Sequence, residues 1–456
     1  MALGQVGLGG ARVGGGKMRL LPLVAATYFM VSGGPYGLED IIGMAGYGWA
    51  LVLFLVVPVV WSLPTSLMVG ELAAAVPEEG GYYRWVRRAM GEFWGFQEAW
   101  LSLAASVFDM AIYPTIFVLY LGRIEPAWTA GYRGTGWALA VVLVCAAWNL
   151  RGARAVGEGS VGLFCVLLSP FVVLTAVGLW KSLVLGGHGG ASFFEAPVAG
   201  RDFAGAVSVT LWNYMGWDNA STVAQEVEEP QRNYPRGMLA ATGLVALTYV
   251  LPLAAVGLAG IPAARFSTGA WADAAKELVG PWLELCVVLG GMLNGAGMFN
   301  ALMMSYTRVP YAMAEDGFLP AVMERRNRWG VPWVSLAVCT VGWALALRLS
   351  FERLISIDLV LYGGALLLEF VALVVLRVKE PGLVRPFRVP GGLLGAVAMG
   401  LGPAALIAFA LWAARGERVA GLPALEFAGI VAAVGPVVYL VAKAMKRAAS
   451  GATPSV

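Results

Sequence analysis

Apolar residues run through this chain in blocks of roughly 20, a length that carries an α-helix across the hydrocarbon of a bilayer. The pattern predicts twelve transmembrane helices, near 20–47, 49–72, 93–121, 135–150, 159–181, 203–226, 237–260, 280–304, 332–348, 354–376, 393–413 and 422–442. The fold class expected is therefore an all-α polytopic membrane protein. An even number of spans puts both termini on one side, and the basic residues choose that side. With the N-terminus inside, the inner segments hold 21 of the 31 Lys and Arg residues and the outer loops 10. Both termini are expected in the cytoplasm, with the chain in the plasma (inner) membrane.

Two of the blocks are interrupted in the same way. The first meets SGGPYG at 32–37 and resumes as LEDIIGMAGYGW, and the sixth contains NYMGWDNAST at 213–222. Glycines and a proline at mid-membrane free backbone groups that hydrocarbon cannot satisfy, so such breaks must line a cavity. Each opens a set of five spans, which points to a five-plus-five inverted repeat with a binding site at the paired breaks. The chain then divides into a flexible tail at 1–19, a first repeat at 20–182, a second at 203–378, two additional spans at 393–445 and a C-terminal tail at 446–456. Plain kinked helices without a site are the alternative.

Composition narrows the function. The 456 residues are 59% hydrophobic and only 13% charged, with a mean hydropathy of +0.74, against roughly 25% charged residues in soluble domains. A water-soluble enzyme is excluded, and a net charge of +3 gives no basis for nucleic-acid binding. Cys145, Cys165, Cys286 and Cys339 lie in apolar stretches and read as small hydrophobes. The single histidine, His188, sits in a Gly-rich segment, so a metal site is not expected and no cofactor is implied. The motifs HExxH, GxSxG and GxGD of intramembrane enzymes do not occur, and GGGKM at 14–18 fails as a phosphate-binding loop. A sensor would carry a soluble output domain, whereas the longest polar stretch here is the 305–331 connection.

The intramembrane charges decide what solute fits. Glu39 and Asp40 follow the first break and Asp218 the second, while Asp109, Glu284, Asp358 and Glu369 lie within other spans, with no basic residue at comparable depth. Uncompensated carboxylates in hydrocarbon need a cation or a proton. Glu98, Ser102, Ser106, Asp109 and Tyr113 share one helical stripe, and so do Asp358, Tyr362 and Glu369. Such stripes face the bundle interior. Glu284, Glu369 and Glu426 are read as neutral carboxyls bonded to a neighbouring helix, and Glu39 and Asp40 as either ligands or caps of the half-helix that follows them. Asp218, beside Trp217 at a break, is the acid best placed to meet a substrate.

Four segments carry a resemblance: PEEGGYYRWVRRAMGEFWGFQEAW at 77–100, EVEEPQRNYPRG at 226–237, TRVPYAMAEDGFLP at 307–320 and RPFRVPGG at 385–392. In this order they resemble the hallmark motifs of the amino acid, polyamine and organocation transporters. SGGPYGLED at 32–40 and the run 93–121 resemble the polyamine uptake transporters of plants and protozoa within that superfamily. The resemblance implies a twelve-span LeuT-like fold and proton-coupled import of putrescine- or spermidine-like cations. It makes Ser32, Gly33 and Gly34 the unwound part of span 1, Trp212 the gating aromatic, and Trp217 with Asp218 the Trp-Asp pair of the polyamine group. The chain departs from that group at Met215 and Gly216, where Asn-Tyr is expected, and from some proton-coupled members by lacking a lysine in span 5, where Ser169 and Pro170 stand.

The expected substrate site comprises Gly33, Gly34, Tyr36, Glu39, Asp40, Asp109, Tyr113, Trp212, Asn213, Trp217 and Asp218, with Glu39, Asp109 and Asp218 as proton carriers and a proton as co-substrate. A neutral or cationic amino acid transporter or exchanger on the same fold is the alternative. Pro35 offers no N–H, and Glu39 and Asp40 would repel a carboxylate at the first break, which favours an ammonium-bearing substrate that lacks one.

Overall fold

A computed structural model describes residues 16–184, 193, 202–347, 351–416, 418–419 and 422–451. His188 and most of the N-terminal tail lie outside the described residues.

The first apolar block is α1 (Leu20–Val31), which stops where Ser32 turns extended at φ −140°. Helix resumes as α2 (Glu39–Ala75), whose trace bends at Gly46, with φ 78° and ψ 166°, and widens into a π turn at Pro58–Ser62. Only glycine adopts the Gly46 geometry without strain. The chain continues through α3 (Gly81–Met90), α4 (Glu92–Ile124), α5 (Tyr132–Asn149) and α6 (Ala153–Val184). After α7 (Phe203–Trp212) comes a 3-10 turn, Asp218–Thr222, and then α8 (Pro230–Leu258), α9 (Ala270–Leu278), α10 (Pro281–Tyr306) and α11 (Arg308–Glu315). The last elements are α12 (Trp333–Ala346), α13 (Phe351–Lys379), α14 (Gly392–Ala414) and α15 (Ala424–Gly451). A two-residue hairpin, β1 (Arg418–Val419) with β2 (Leu422–Pro423), pairs Arg418 with Pro423 and Val419 with Leu422.

Among the described residues eight helices are long and apolar enough to cross a membrane, and α1, α7 and α12 are shorter apolar helices. This is an all-α polytopic membrane protein. The helices sort by burial: the apolar windows of α4 and α10–α11 are 61% and 67% buried, whereas those of α14 and α15 are only 22% buried. The first pair forms the packed centre with α13, and the second lies at the periphery. Large apolar side chains such as Leu143, Val172, Leu394 and Leu440 are left bare on the rim.

Two terminal boundaries differ from expectation. Met18, placed in a flexible tail by its glycine-rich context, is 1% exposed and bridges Val227, donating to the Glu226 carbonyl at 2.8 Å. At the other end, helix α15 continues into the expected tail, and Lys446 pairs with Glu92 at 2.9 Å.

Candidate functional site

The two breaks meet at the centre of the bundle. Gly33 comes so close to α10 that a Cβ there would lie 1.4 Å from the Asn294 side chain. Gly216, at φ 93°, brings its backbone against α1, and a Cβ would fall 2.3 Å from the Met30 carbonyl. The departure from the family pattern at Met215 and Gly216 thus has a local role: this glycine lets the second break touch the first. Its N–H donates to the Tyr362 hydroxyl at 3.0 Å, and that hydroxyl donates in turn to Asp218.

Beside this contact lies a small cavity lined by Asp109 and Tyr113 from α4, Trp212 and Met215 around the second break, Tyr306 from α10, and Asp358 and Tyr362 from α13. Its volume is about 10 Å³, room for about one water. The site is narrow. Tyr113 donates to Asp109 at 2.6 Å and stacks on Trp212, with ring centroids 6.3 Å apart. Asp358 is 2% exposed, and its Oδ2 has no hydrogen-bond partner. The lining includes no Lys, Arg or His among the described residues.

The expected site residues therefore separate into groups. Asp109, Tyr113 and Trp212 line one cavity, and Asp218 reaches its wall through Tyr362. Trp217 is fully buried, with its indole N–H unpartnered. Glu39 and Asp40 sit elsewhere. Glu39 accepts from the Gly37 N–H at 2.7 Å, the Tyr120 hydroxyl at 2.9 Å and the Gly269 N–H at 3.3 Å, while Asp40 accepts from Thr268 at 2.7 Å. These bonds tie the start of α2 mainly to α4 and to the turn before α9, and α2 itself has no side-chain cap. Tyr36 donates to the Val287 carbonyl at 2.7 Å and packs on Tyr120 and Phe171. Asn213 ties the breaks together, donating to Gly37 and Val209 and accepting from Tyr249. Gly34, at φ 79°, turns the first break and donates to Ser32 at 3.1 Å.

Sequence reasoning left Asp358, Tyr362 and Tyr306 out of the site, although the first two already lay on the polar stripe of their span. Glu284 also differs from its reading as a neutral intramembrane carboxyl: it pairs with Lys276 of α9 at 3.1 Å, one turn into α10.

Three of the four quoted motifs converge at the basic end of the bundle. Arg308 is fully buried, donates to Glu226 at 2.9 Å and stands 3.9 Å from Glu79, which also accepts from Arg326 at 2.7 Å. Burial, reinforced by the negative charge of Glu226 and opposed by Arg308 and Arg326, pushes the Glu79 carboxyl up to about 7. Arg84 and Tyr83 hold Asp316 at 2.9 and 2.6 Å. The motifs thus build a latch at that end, away from the cavity.

A profile of the amino acid permease family matches residues 24–434. This chain belongs to that family. The permease is 36% identical over 393 residues to the polyamine transporter PUT1 of Oryza sativa subsp. japonica, covering 86% of this chain and 73% of that one. It is 35% identical over 399 residues to the polyamine transporter RMV1 of Arabidopsis thaliana, covering 86% and 79%. At greater distance the permease is 24% identical over 383 residues to the serine/threonine exchanger SteT of Bacillus subtilis (strain 168), covering 81% and 83%. These relatives are transporters, and none is an enzyme.

Proposed function

We propose that this permease imports polyamines, short organic polycations of the putrescine and spermidine type, by alternating access with a proton as co-substrate. One observation carries the reading: Asp109, Asp218 and Asp358 gather around a single narrow cavity whose described lining holds no basic side chain. Ammonium groups would supply the charge those carboxylates lack. Tyr113, Trp212 and Tyr306 would cover the methylene segments between ammoniums and add cation–π attraction. The similarity to named polyamine transporters supports the same substrate class.

In this reading the protein has twelve spans. The eight long helices, α1, α7, α12 and α5 supply that number if α1 and the segment of α2 before Gly46 form one broken span. The breaks at 32–38 and 213–217 then open two inverted five-span repeats, at 20–182 and 203–378, with two further spans at 393–445. The basic end faces the cytoplasm across the plasma membrane, following the bias in Lys and Arg, and both termini lie there. A cavity with space for one water must open to admit a polyamine, and the Glu79–Arg308–Glu226 latch closes the cytoplasmic path while it does so. The membrane potential, worth about 2.3 kcal/mol per charge per 100 mV, favours entry of a polycation, and a proton adds to that drive.

Thermal melting of the purified protein against polyamines and amino acids tests the substrate, because a ligand that binds only the folded state raises apparent stability with occupancy. Putrescine or spermidine should raise the melting temperature while leucine leaves it unchanged. A shift with leucine or arginine, and none with polyamines, would replace the reading with amino acid transport. Uptake into proteoliposomes with the potential clamped at zero and sodium absent tests the proton: an inward proton gradient should accelerate accumulation.

A further inference from the structure

Between the cavity and the basic end, three helices bring buried oxygens together without partners. Glu98 of α4 and Glu369 of α13 are both fully buried. Ser102 donates to Glu98 Oε1 at 2.8 Å, but Glu98 Oε2, both carboxyl oxygens of Glu369 and the hydroxyl of Tyr82 on α3 have no hydrogen-bond partner. The three helices pack on one another, and the two carboxyls interact electrostatically with each other and with Asp218. The groups facing the pair are Asp218 from the 3-10 turn, Tyr82 from α3 and Tyr362 from α13 itself, and no cation among the described residues acts on either carboxyl.

Native structures leave few buried polar atoms unpaired, and four on three packed helices call for an explanation. Two fully buried carboxyls with no cation beside them cannot both stay ionised in an apolar setting, so the arrangement is tenable only when they hold protons. Neither residue lines the cavity, which sets the pair apart from the groups that would hold an ammonium. We propose that Glu98 and Glu369 form a buried proton-holding pair, loaded in this conformation, that passes protons between Asp218 and the basic end during transport. This deepens the proton-symport reading and rests on it for its role, though not for the presence of the proton. No bond other than O–H is made or broken: a proton leaves one carboxyl oxygen and joins another, or a water admitted when the basic end opens.

Two measurements on the full-length protein separate the possibilities. Infrared spectra in H₂O and D₂O should show the carbonyl band of protonated carboxylic acid at neutral pH, and Glu369→Gln and Glu98→Gln should each remove part of it. Because Gln resembles a protonated Glu in shape and charge, both variants should fold and bind spermidine within about twofold of wild type. In proteoliposomes each should lose the stimulation by a proton gradient while retaining exchange of external for internal polyamine. An unchanged band in both variants, or a tenfold or greater loss of spermidine affinity in Glu369→Gln, would overturn the proposal, the latter making Glu369 an ammonium ligand instead. If wild-type uptake ignores the proton gradient while the band disappears as expected, the symport reading fails and the proton-holding pair stands.

Discussion

Glu71 and Glu369 are both fully buried glutamates on apolar helices, and they are held in opposite ways. Glu71 accepts from Arg377 Nε at 3.0 Å and from the Val389 N–H at 2.7 Å, with Arg385 3.4 Å away, so a permanent pair of guanidiniums neutralises it. Glu369 has no partner on either oxygen. Glu71 ties the RPFRVPGG connection to α2, which explains that motif without reference to a substrate. A buried acid with its counter-charge built in is architecture. One without it must exchange protons or meet a mobile cation to be tolerated at all.

The comparison breaks most sharply at Glu71. Replacing it by Ala leaves Arg377 and Arg385, only 10% and 3% exposed, facing one another without a carboxylate. Removing one partner of a buried ion pair costs about 3–5 kcal/mol, so Glu71→Ala should lower the melting temperature strongly. Glu369→Gln in the same assay should leave it unchanged or raise it, since no partner is lost. Equal destabilisation by both substitutions would mean that Glu369 has a structural counter-charge after all.

The second effect is on affinity. Asp218→Asn keeps an acceptor for the Tyr362 hydroxyl but removes the charge that would face an ammonium, and it should weaken spermidine binding by about 2 kcal/mol or more. Calorimetric titration with spermidine checks this. Unaltered affinity would remove Asp218 from the site and shift the ammonium contacts to Asp109 and Asp358.

These environments were only partly legible in the sequence. The all-α membrane class, the two broken helices and the interior stripe of Glu98, Ser102, Ser106, Asp109 and Tyr113 follow from hydropathy and helical spacing, and all five stripe residues are buried. Such local signals survive because the bilayer enforces periodicity within one helix. Which acids meet a counter-charge was not legible, because partners come from distant segments. Arg377 lies 306 residues from Glu71, and Tyr120 lies 81 from Glu39. Asp358 and Tyr362 joined the cavity for the same reason: α13 packs on α4 and approaches α7, a proximity that no spacing along the chain encodes. Glu39, grouped with the substrate acids by its position after a break, is fully hydrogen-bonded by groups from two other segments.

Glu79 stands between the two extremes, since it is paired but incompletely: Arg326 bonds one oxygen, and the other has no hydrogen bond. Its carboxyl is raised from the ordinary 4.5 to about 7, so the folded protein binds this proton more tightly than the unfolded chain does. That contribution to stability is complete below about 4.5 and is lost as pH rises through about 7. Glu79→Gln stays neutral and escapes the loss. The melting temperature of wild type should therefore fall relative to the variant as pH climbs across this window, and parallel profiles would show that Arg308 and Arg326 compensate Glu79 as fully as Arg377 and Arg385 compensate Glu71.

The smallest effect belongs to Glu284, which by sequence alone stood with the intramembrane acids. Its partner Lys276 is 58% exposed along its side chain and Glu284 itself 25%, so water competes for both charges. Exposed pairs of this kind contribute about 0–1 kcal/mol, and salt screens them. Glu284→Gln should leave spermidine affinity unchanged and lower stability by at most about 1 kcal/mol at low salt, a difference that shrinks as ionic strength rises. Melting curves of wild type and variant at low and high salt measure it. Should Glu284→Gln instead cost as much affinity as Asp218→Asn, the acids of this permease would not be ranked by the counter-charges around them, and the contrast between Glu71 and Glu369 would lose its meaning for the rest of the molecule.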